Sequence, residues 1–268
     1  MRKVILLFVG AIVVCLPSLA TAAKERKSPL TNAPVIRRRL ELRDKRFEFG
    51  VGAGVTIGQD FYNALLVMPK LAFHFNDWIS LAVVGGFNLL PGWKSSFTND
   101  VEGALPAPGQ DTIKSPYAPD ALATMNYLKY TALGQIEFIP LSGKIAILSS
   151  LFSYFDFYVL GGAGVVNLAA QEQMPGNCVN PDDANRPRCQ AYTATQLTVN
   201  GGVGAHAFFA RWGAVNLELR DLVYKNNASG RDVNGDGVTD SHDLKWTNNW
   251  VFSLNFQFFL PTRAKISR

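Results

Sequence analysis

The residues Trp250–Phe258, WVFSLNFQF, decide how this chain folds. Trp250, Phe252, Leu254, Phe256 and Phe258 fall on one side of an extended segment, and Val251, Ser253, Asn255 and Gln257 fall on the other, because successive strand side chains point to opposite faces. One side is therefore greasy and aromatic, and the other mostly polar. A strand of this kind near the end of an exported chain is the pattern of a membrane-spanning β-barrel, with the aromatic side in lipid and the polar side in the lumen.

The same alternation recurs upstream. In Arg46–Gly58, Phe47, Phe49, Val51, Ala53, Val55 and Ile57 alternate with Glu48, Gly50, Gly52, Gly54, Thr56 and Gly58. Further strands are expected over 64–75, 79–89, 127–138, 155–168, 195–209 and 214–224, with Pro69 weakening the second and glycines blurring the facing of the fifth. The stretch 139–154 reads equally as a short amphipathic helix or as a bent extension of a strand. The expectation is all-β: an eight-stranded antiparallel up-and-down transmembrane barrel. Tight connections between strands two and three and between six and seven alternate with long loops such as 90–124, as in barrels with short periplasmic turns and long extracellular loops. A soluble barrel would turn its apolar residues inward. The five tryptophans, Trp78, Trp93, Trp212, Trp246 and Trp250, all fall at strand ends or in adjoining loops, which is where interfacial girdles sit.

The chain opens like an export signal. Arg2 and Lys3 precede an apolar run over Val4–Leu16, and Ala20-Thr21-Ala22 is a cleavage site. The expected organisation is a signal peptide over 1–22, a basic solvated periplasmic segment over 23–45, the barrel over 46–260 and a basic periplasmic tail over 261–268. Although the formal net charge is +5, the basic residues crowd the two ends and the middle is acidic. Export argues against nucleic acid as the partner of the basic runs. Outer-membrane lipid, the barrel assembly machinery and other envelope proteins are the expected partners, with Trp250, Phe252, Leu254, Phe256 and Phe258 as the assembly signal.

An eight-stranded barrel is about wide enough for its own side chains. Glu48, Lys70, Lys129, Glu137, Glu218 and Arg220 are expected to face the lumen, where opposite charges should pair and plug it. His74 and His206 also face inward; two lone histidines are more often satisfied interior side chains than metal ligands.

Two loop motifs stand outside the strands. Cys178 and Cys189, in CVNPDDANRPRC, are expected to form a disulfide in an oxidising compartment. Residues 232–243, DVNGDGVTDSHD, place Asp232, Asn234, Asp236, the Val238 carbonyl, Asp240 and Asp243 at positions 1, 3, 5, 7, 9 and 12 of a calcium loop, with Gly237 at the turn. The loop resembles those of EF-hands and, ending in Asp, more closely those of dockerins. Ca2+ is the expected cofactor, with a stiffening role.

The segments RFEFGVGAGVTIGQDFYN, LAFHFNDWISLAVVGGF, PLSGKIAI with FDFYVLGGAGV, and VNLELRDLVY resemble, in that order, the outer-membrane barrel family of myxobacterial and related deltaproteobacterial type. The resemblance spans most of Arg46–Leu260 and implies, as one possibility, a place in an adhesion or gliding-motility envelope complex. The functional expectation is a non-enzymatic scaffold in the bacterial outer membrane that displays its loops. A small-solute channel is the first alternative and a lipid A-modifying enzyme the second. The enzyme would need a nucleophile and a base at the outer rim. The sequence offers Ser95, Ser96 and Ser115 without an evident partner, and one outer-loop histidine, His242.

Overall fold

The computed structural model describes residues 40–59, 61–104, 125–147, 151–170, 179–180, 183–187, 194–228 and 241–266. The expected export signal, most of the basic segment, Cys178, Cys189 and Asp232, Asn234, Asp236, Val238 and Asp240 lie outside these residues.

Strand β1 is Arg46–Ile57. Strand β2 is in two in-line pieces, Leu65–Val67 and Lys70–His74. Then follow β3, Ile79–Asn88; β4, Asn126–Ile147; β5, Leu151–Ala170; β6, Ala194–Ala210; β7, Gly213–Asn226; and β8, Lys245–Leu260. Each is antiparallel to the next, and β8 returns to β1 from Trp250↔Ile57 to Leu260↔Phe47. The ring is closed, so its strands have no open edge to satisfy. Pro69 breaks β2 because it has no N–H to give. The ladder survives the break: Met68 N donates to Gly52 O, and Gly85 N to Pro69 O, both at 2.9 Å.

The stagger of the ring follows from its register. Stepping straight across from Gly213 on β7 leads through Phe258, Phe49, Leu71, Val83, Gly134, Ala163 and Val199 and arrives back on β7 at Val223, ten residues beyond the start. With ~3.3 Å per residue and ~4.8 Å between strands, that stagger tilts the strands by about 40° and sets a backbone radius of about 8 Å. Such a cylinder holds side chains and little else.

The facing matches the expected alternation. On β8, Phe252, Leu254, Phe256 and Phe258 keep 41–53% of their surface exposed, whereas Val251, Ser253, Asn255 and Gln257 keep 5% or less. Tryptophans mark both ends of the apolar belt. Trp78 and Trp212 lie in the short turns, where Trp212 stacks on Phe258 at 5.6 Å, and Trp93, Trp246 and Trp250 lie at the long-loop end.

Two expectations change, and two readings left open by the sequence are decided. Lys129 does not face the lumen. A bulge between Leu128 and Tyr130 adds a residue to β4, which leaves Leu128 buried and Lys129 exposed. Of the stretch 139–154, the described residues 139–147 and 151–154 are strand rather than helix: β4 and β5 stay paired from Leu141↔Phe157 to Ile147↔Leu151, past the level where β3 starts. The fifth strand has a definite facing, with Asp156, Tyr158 and Leu160 inward. The basic segment is not all solvated. Leu40–Glu41 pairs with Lys265–Ile266 beyond the barrel, and Arg43 is buried at the short-turn end.

The seam between β8 and β1 depends on small inward residues: a Cβ on Gly52 would meet the Leu254 carbonyl oxygen at 2.1 Å. Leu254 lies midway along that seam and faces out. Leu254→Arg is expected to cost about 2–4 kcal/mol, as for a cation at a bilayer midplane, measured by reversible urea unfolding in liposomes. Ser253→Ala, one position away on the inner face, should change stability by much less.

Candidate functional site

Among the described residues the lumen concentrates buried ionisable side chains, and it is built in layers. Toward the long loops, Leu66, Val84, Leu133, Val166, Leu222 and Val251 belong to one buried apolar cluster. Toward the short turns, Phe208, Ala214 and Phe259 form another, with Leu42 and Tyr154 packed on it. The charges lie between.

Lys70 is the centre of the charged layer. Its Nζ reaches Glu48 at 3.0 Å and Glu137 at 2.6 Å, and sits 5.2 Å from the Tyr158 ring centre. Glu48 also meets His74 Nε2 at 2.7 Å and lies 4.0 Å from His206 Nε2. His206 Nδ1 is 2.7 Å from Asp156, whose other oxygen takes Arg43 at 3.1 Å. Ser80 Oγ and Gln135 Nε2 both donate to Glu137 at 2.8 Å, and Asn200 Nδ2 donates to Gln135 at 3.2 Å. On the far wall, Arg220 holds Glu218 through Nε at 2.9 Å and through a second, closer contact, and Tyr158 OH donates to Glu218 at 2.7 Å. Asn216 Nδ2 donates to the Tyr158 oxygen at 2.7 Å. Arg46 donates to the Phe259 carbonyl at 3.0 Å, with its guanidinium 5.3 Å from that ring centre.

Of the residues expected inward, Glu48, Lys70, Glu137, Glu218 and Arg220 therefore meet in one network, together with His74 and His206. Lys129 does not join it. Arg43, Asp156 and Tyr158 were not foreseen there. The alternation of Phe155, Phe157 and Val159 with Asp156, Tyr158 and Leu160 carried the signal for the last two. Nothing local in the sequence marks Arg43, whose place depends on the chain turning back under the barrel: its N–H donates to Asp77 Oδ1 at 3.0 Å.

The arrangement can bind charge to charge, but it does not present a reactive group to a substrate. Both apolar layers stand between it and solvent, and Glu48, His74, Ser80 and Glu137 are each fully buried. At the long-loop end, Ser95 has a structural role. Its Oγ accepts from Thr98 N at 3.1 Å as the cap of helix α1, Ser96–Ala104. Nearby, Tyr62–Asn63 pairs with Trp93–Lys94, and Phe61 packs on Phe97 at 6.0 Å. Asn126 Nδ2 reaches across to Asn226 at 2.7 Å, tying β4 to β7 over the top of the lumen. Asp243, the last residue of the calcium-type loop, is buried in the 3-10 turn Ser241–Asp243, and His242 is exposed.

No family model and no curated protein matches the chain. Solved structures of similar form include the N-terminal β-barrel domain of Pseudomonas aeruginosa OprF, at 10% identity and a TM-score of 0.44, covering 81% of this chain and 98% of that one. Neisserial surface protein A has 7% identity and a TM-score of 0.37, covering 80% and 95% respectively. Ail, the attachment invasion locus protein of Yersinia pestis, has 7% identity and a TM-score of 0.34, covering 81% and 100%. At these identities the likeness is one of general form.

Removing one member of a buried ion pair strands its partners without compensation. Lys70→Met would leave Glu48 and Glu137 facing each other without the cation that joins them, so a loss of about 3–5 kcal/mol is expected. Lys225→Met, at the exposed end of β7, should cost little in the same unfolding measurement.

Proposed function

We propose that this chain is a non-enzymatic β-barrel of the bacterial outer membrane, a sealed scaffold that holds its long loops outside the cell. The observation that carries this reading is the filled lumen: a paired charge layer closed above and below by apolar side chains. An apolar belt bounded by tryptophans at both ends supports the membrane setting, and the alternation of long loops with short turns supports an orientation with the loops outward. Reconstituted in planar bilayers, the full chain should give no steady conductance. Reproducible discrete steps would overturn the sealed scaffold in favour of the small-solute channel.

The loop over 232–243 is part of the proposal as a Ca2+ site that stiffens the extracellular surface. Its ligand spacing and Gly237 support this, and buried Asp243 gives its last position an anchor at the foot of β8. Calcium should protect the 225–247 loop from protease in the folded barrel. Equal cleavage with calcium and with chelator would count against the site. A Cys178–Cys189 disulfide is proposed for the loop between β5 and β6, and non-reduced protein should then show no free thiol. The ordered segments that resemble myxobacterial barrels support a place in an adhesion or motility envelope complex, for which crosslinking in native envelopes is the test.

A further inference from the structure

The mouth of the barrel at the short-turn end is covered by residues that precede the first strand. Leu42–Lys45 turn back beneath it as a strap. Arg43 is the side chain that enters. It keeps 2% of its surface exposed, and its Nη1 lies 3.1 Å from Asp156 in the charged layer. Its backbone N–H donates to Asp77 Oδ1 at 3.0 Å and its Nη2 to the Asp77 carbonyl at 3.2 Å, both in the turn between β2 and β3. Leu42 packs on Phe208, Ala214 and Phe259, the apolar layer at this end. The strap thus lies over that layer and over Asp156 together.

The strap is held at its two ends. Upstream, Leu40–Glu41 pairs with Lys265–Ile266 over two residues. The Lys265–Asp44 contact beside them is 2.9 Å long with the lysine 49% exposed, where an ion pair contributes little. Downstream, Arg46 donates from its backbone N–H to the Arg43 carbonyl at 3.1 Å and from Nη1 to the Leu42 carbonyl. Between the two ends, Lys45 has φ of 54°, a left-handed conformation in which Cβ crowds the following carbonyl oxygen. Arg43 Nε is buried and finds no acceptor among the described residues, and a guanidinium withdrawn from water is fully compensated only when its donors are paired. Closure therefore carries two costs, the backbone at Lys45 and the unpaired donor of Arg43, that oppose the contacts holding the strap in place.

We infer that Leu42–Lys45 are a hinged stopper of the short-turn mouth. The strap swings on Lys45, withdraws Arg43 and opens Asp156 and the apolar layer above Leu42 to water, while the apolar layer near the long loops stays shut. The socket it leaves, the Asp156 carboxylate beside the Asp77 carbonyl, matches a guanidinium, which offers planar donors to both. The inference rests on the sealed barrel proposed above and adds that one of its two seals is movable.

The test reads thiol modification of the full chain in nanodiscs. The three native cysteines are replaced by serine, and a reporter is placed by Ala214→Cys, a fully buried position in the layer that Leu42 covers. A small charged methanethiosulfonate should modify this reporter slowly while the strap is intact. Arg43→Ala should speed the reaction by about tenfold or more, since Asp156 loses its guanidinium. Millimolar guanidinium ion should slow it again in Arg43→Ala, and ammonium at the same concentration should not. Lys45→Gly removes the crowding at the hinge and should slow the reaction about fivefold, whereas Lys45→Val should quicken it. A second reporter, Val251→Cys, lies in the apolar layer near the long loops and should stay protected in every variant. Equal rates at Ala214→Cys in the intact strap, Arg43→Ala and Lys45→Val would overturn the stopper, because the strands alone would then seal the mouth. So would modification of Val251→Cys in step with Ala214→Cys, because the whole barrel would then be opening. Heat-dependent gel mobility is scored in parallel. A barrel that inserts and shifts normally but gives equal rates defeats only this inference. A chain that fails to enter the nanodisc defeats the barrel reading beneath it.

Discussion

Hydrocarbon offers no partner to a backbone N–H, so the whole molecule depends on β8 finding β1. The eleven residue pairs from Trp250↔Ile57 to Leu260↔Phe47 convert a curled sheet into a cylinder without edges. Even the proline at the break in β2 respects this demand. Pro69 cannot donate, but its carbonyl still accepts from Gly85. The inward glycines of β1 serve the same closure, since a side chain at Gly52 would collide with the opposing backbone.

Closure with a stagger of ten residues fixes the radius, and the radius fixes what the interior can be. A cylinder this narrow must be filled by its own side chains at protein density. The apolar layers do so without polar cost. The middle layer fills with charges, which is tolerable only because each carboxylate has a cation or donor at contact distance. Lys70 serves two carboxylates at once, and Arg43, reaching in from beyond the barrel, supplies a cation for Asp156. The segment before β1 is therefore part of the plug. Its guanidinium adds a permanent cation beside Asp156, whose other oxygen meets His206.

Much of this was legible from period alone. Facing along β1, β2, β3, β6, β7 and β8 follows from a strict two-residue alternation, and so do the inward positions of Glu48, Lys70, Glu137, Glu218 and Arg220. Lys129 shows where the rule stops. A bulge adds one residue and leaves no mark in composition, so the facing of Leu128 and Lys129 is reversed while Thr131 and its successors are as expected. The apolar layer near the long loops was hidden for a different reason. In stretches such as Ala64–Met68 both faces are apolar, and hydropathy does not say which apolar residue meets lipid and which meets the lumen.

The sequence by itself determined the class of fold, the alternation of lipid and lumen faces and the strand that seals the ring, because each follows from the two-residue period of a β-strand and from the absence of hydrogen-bond partners in lipid. The tertiary structure decided the rest. Which inward charges meet depends on stagger, since residues paired across the lumen are distant in the chain and no local pattern encodes their height. The capture of Arg43 depends on a chain reversal outside the strands, and the outward turn of Lys129 on a single bulge.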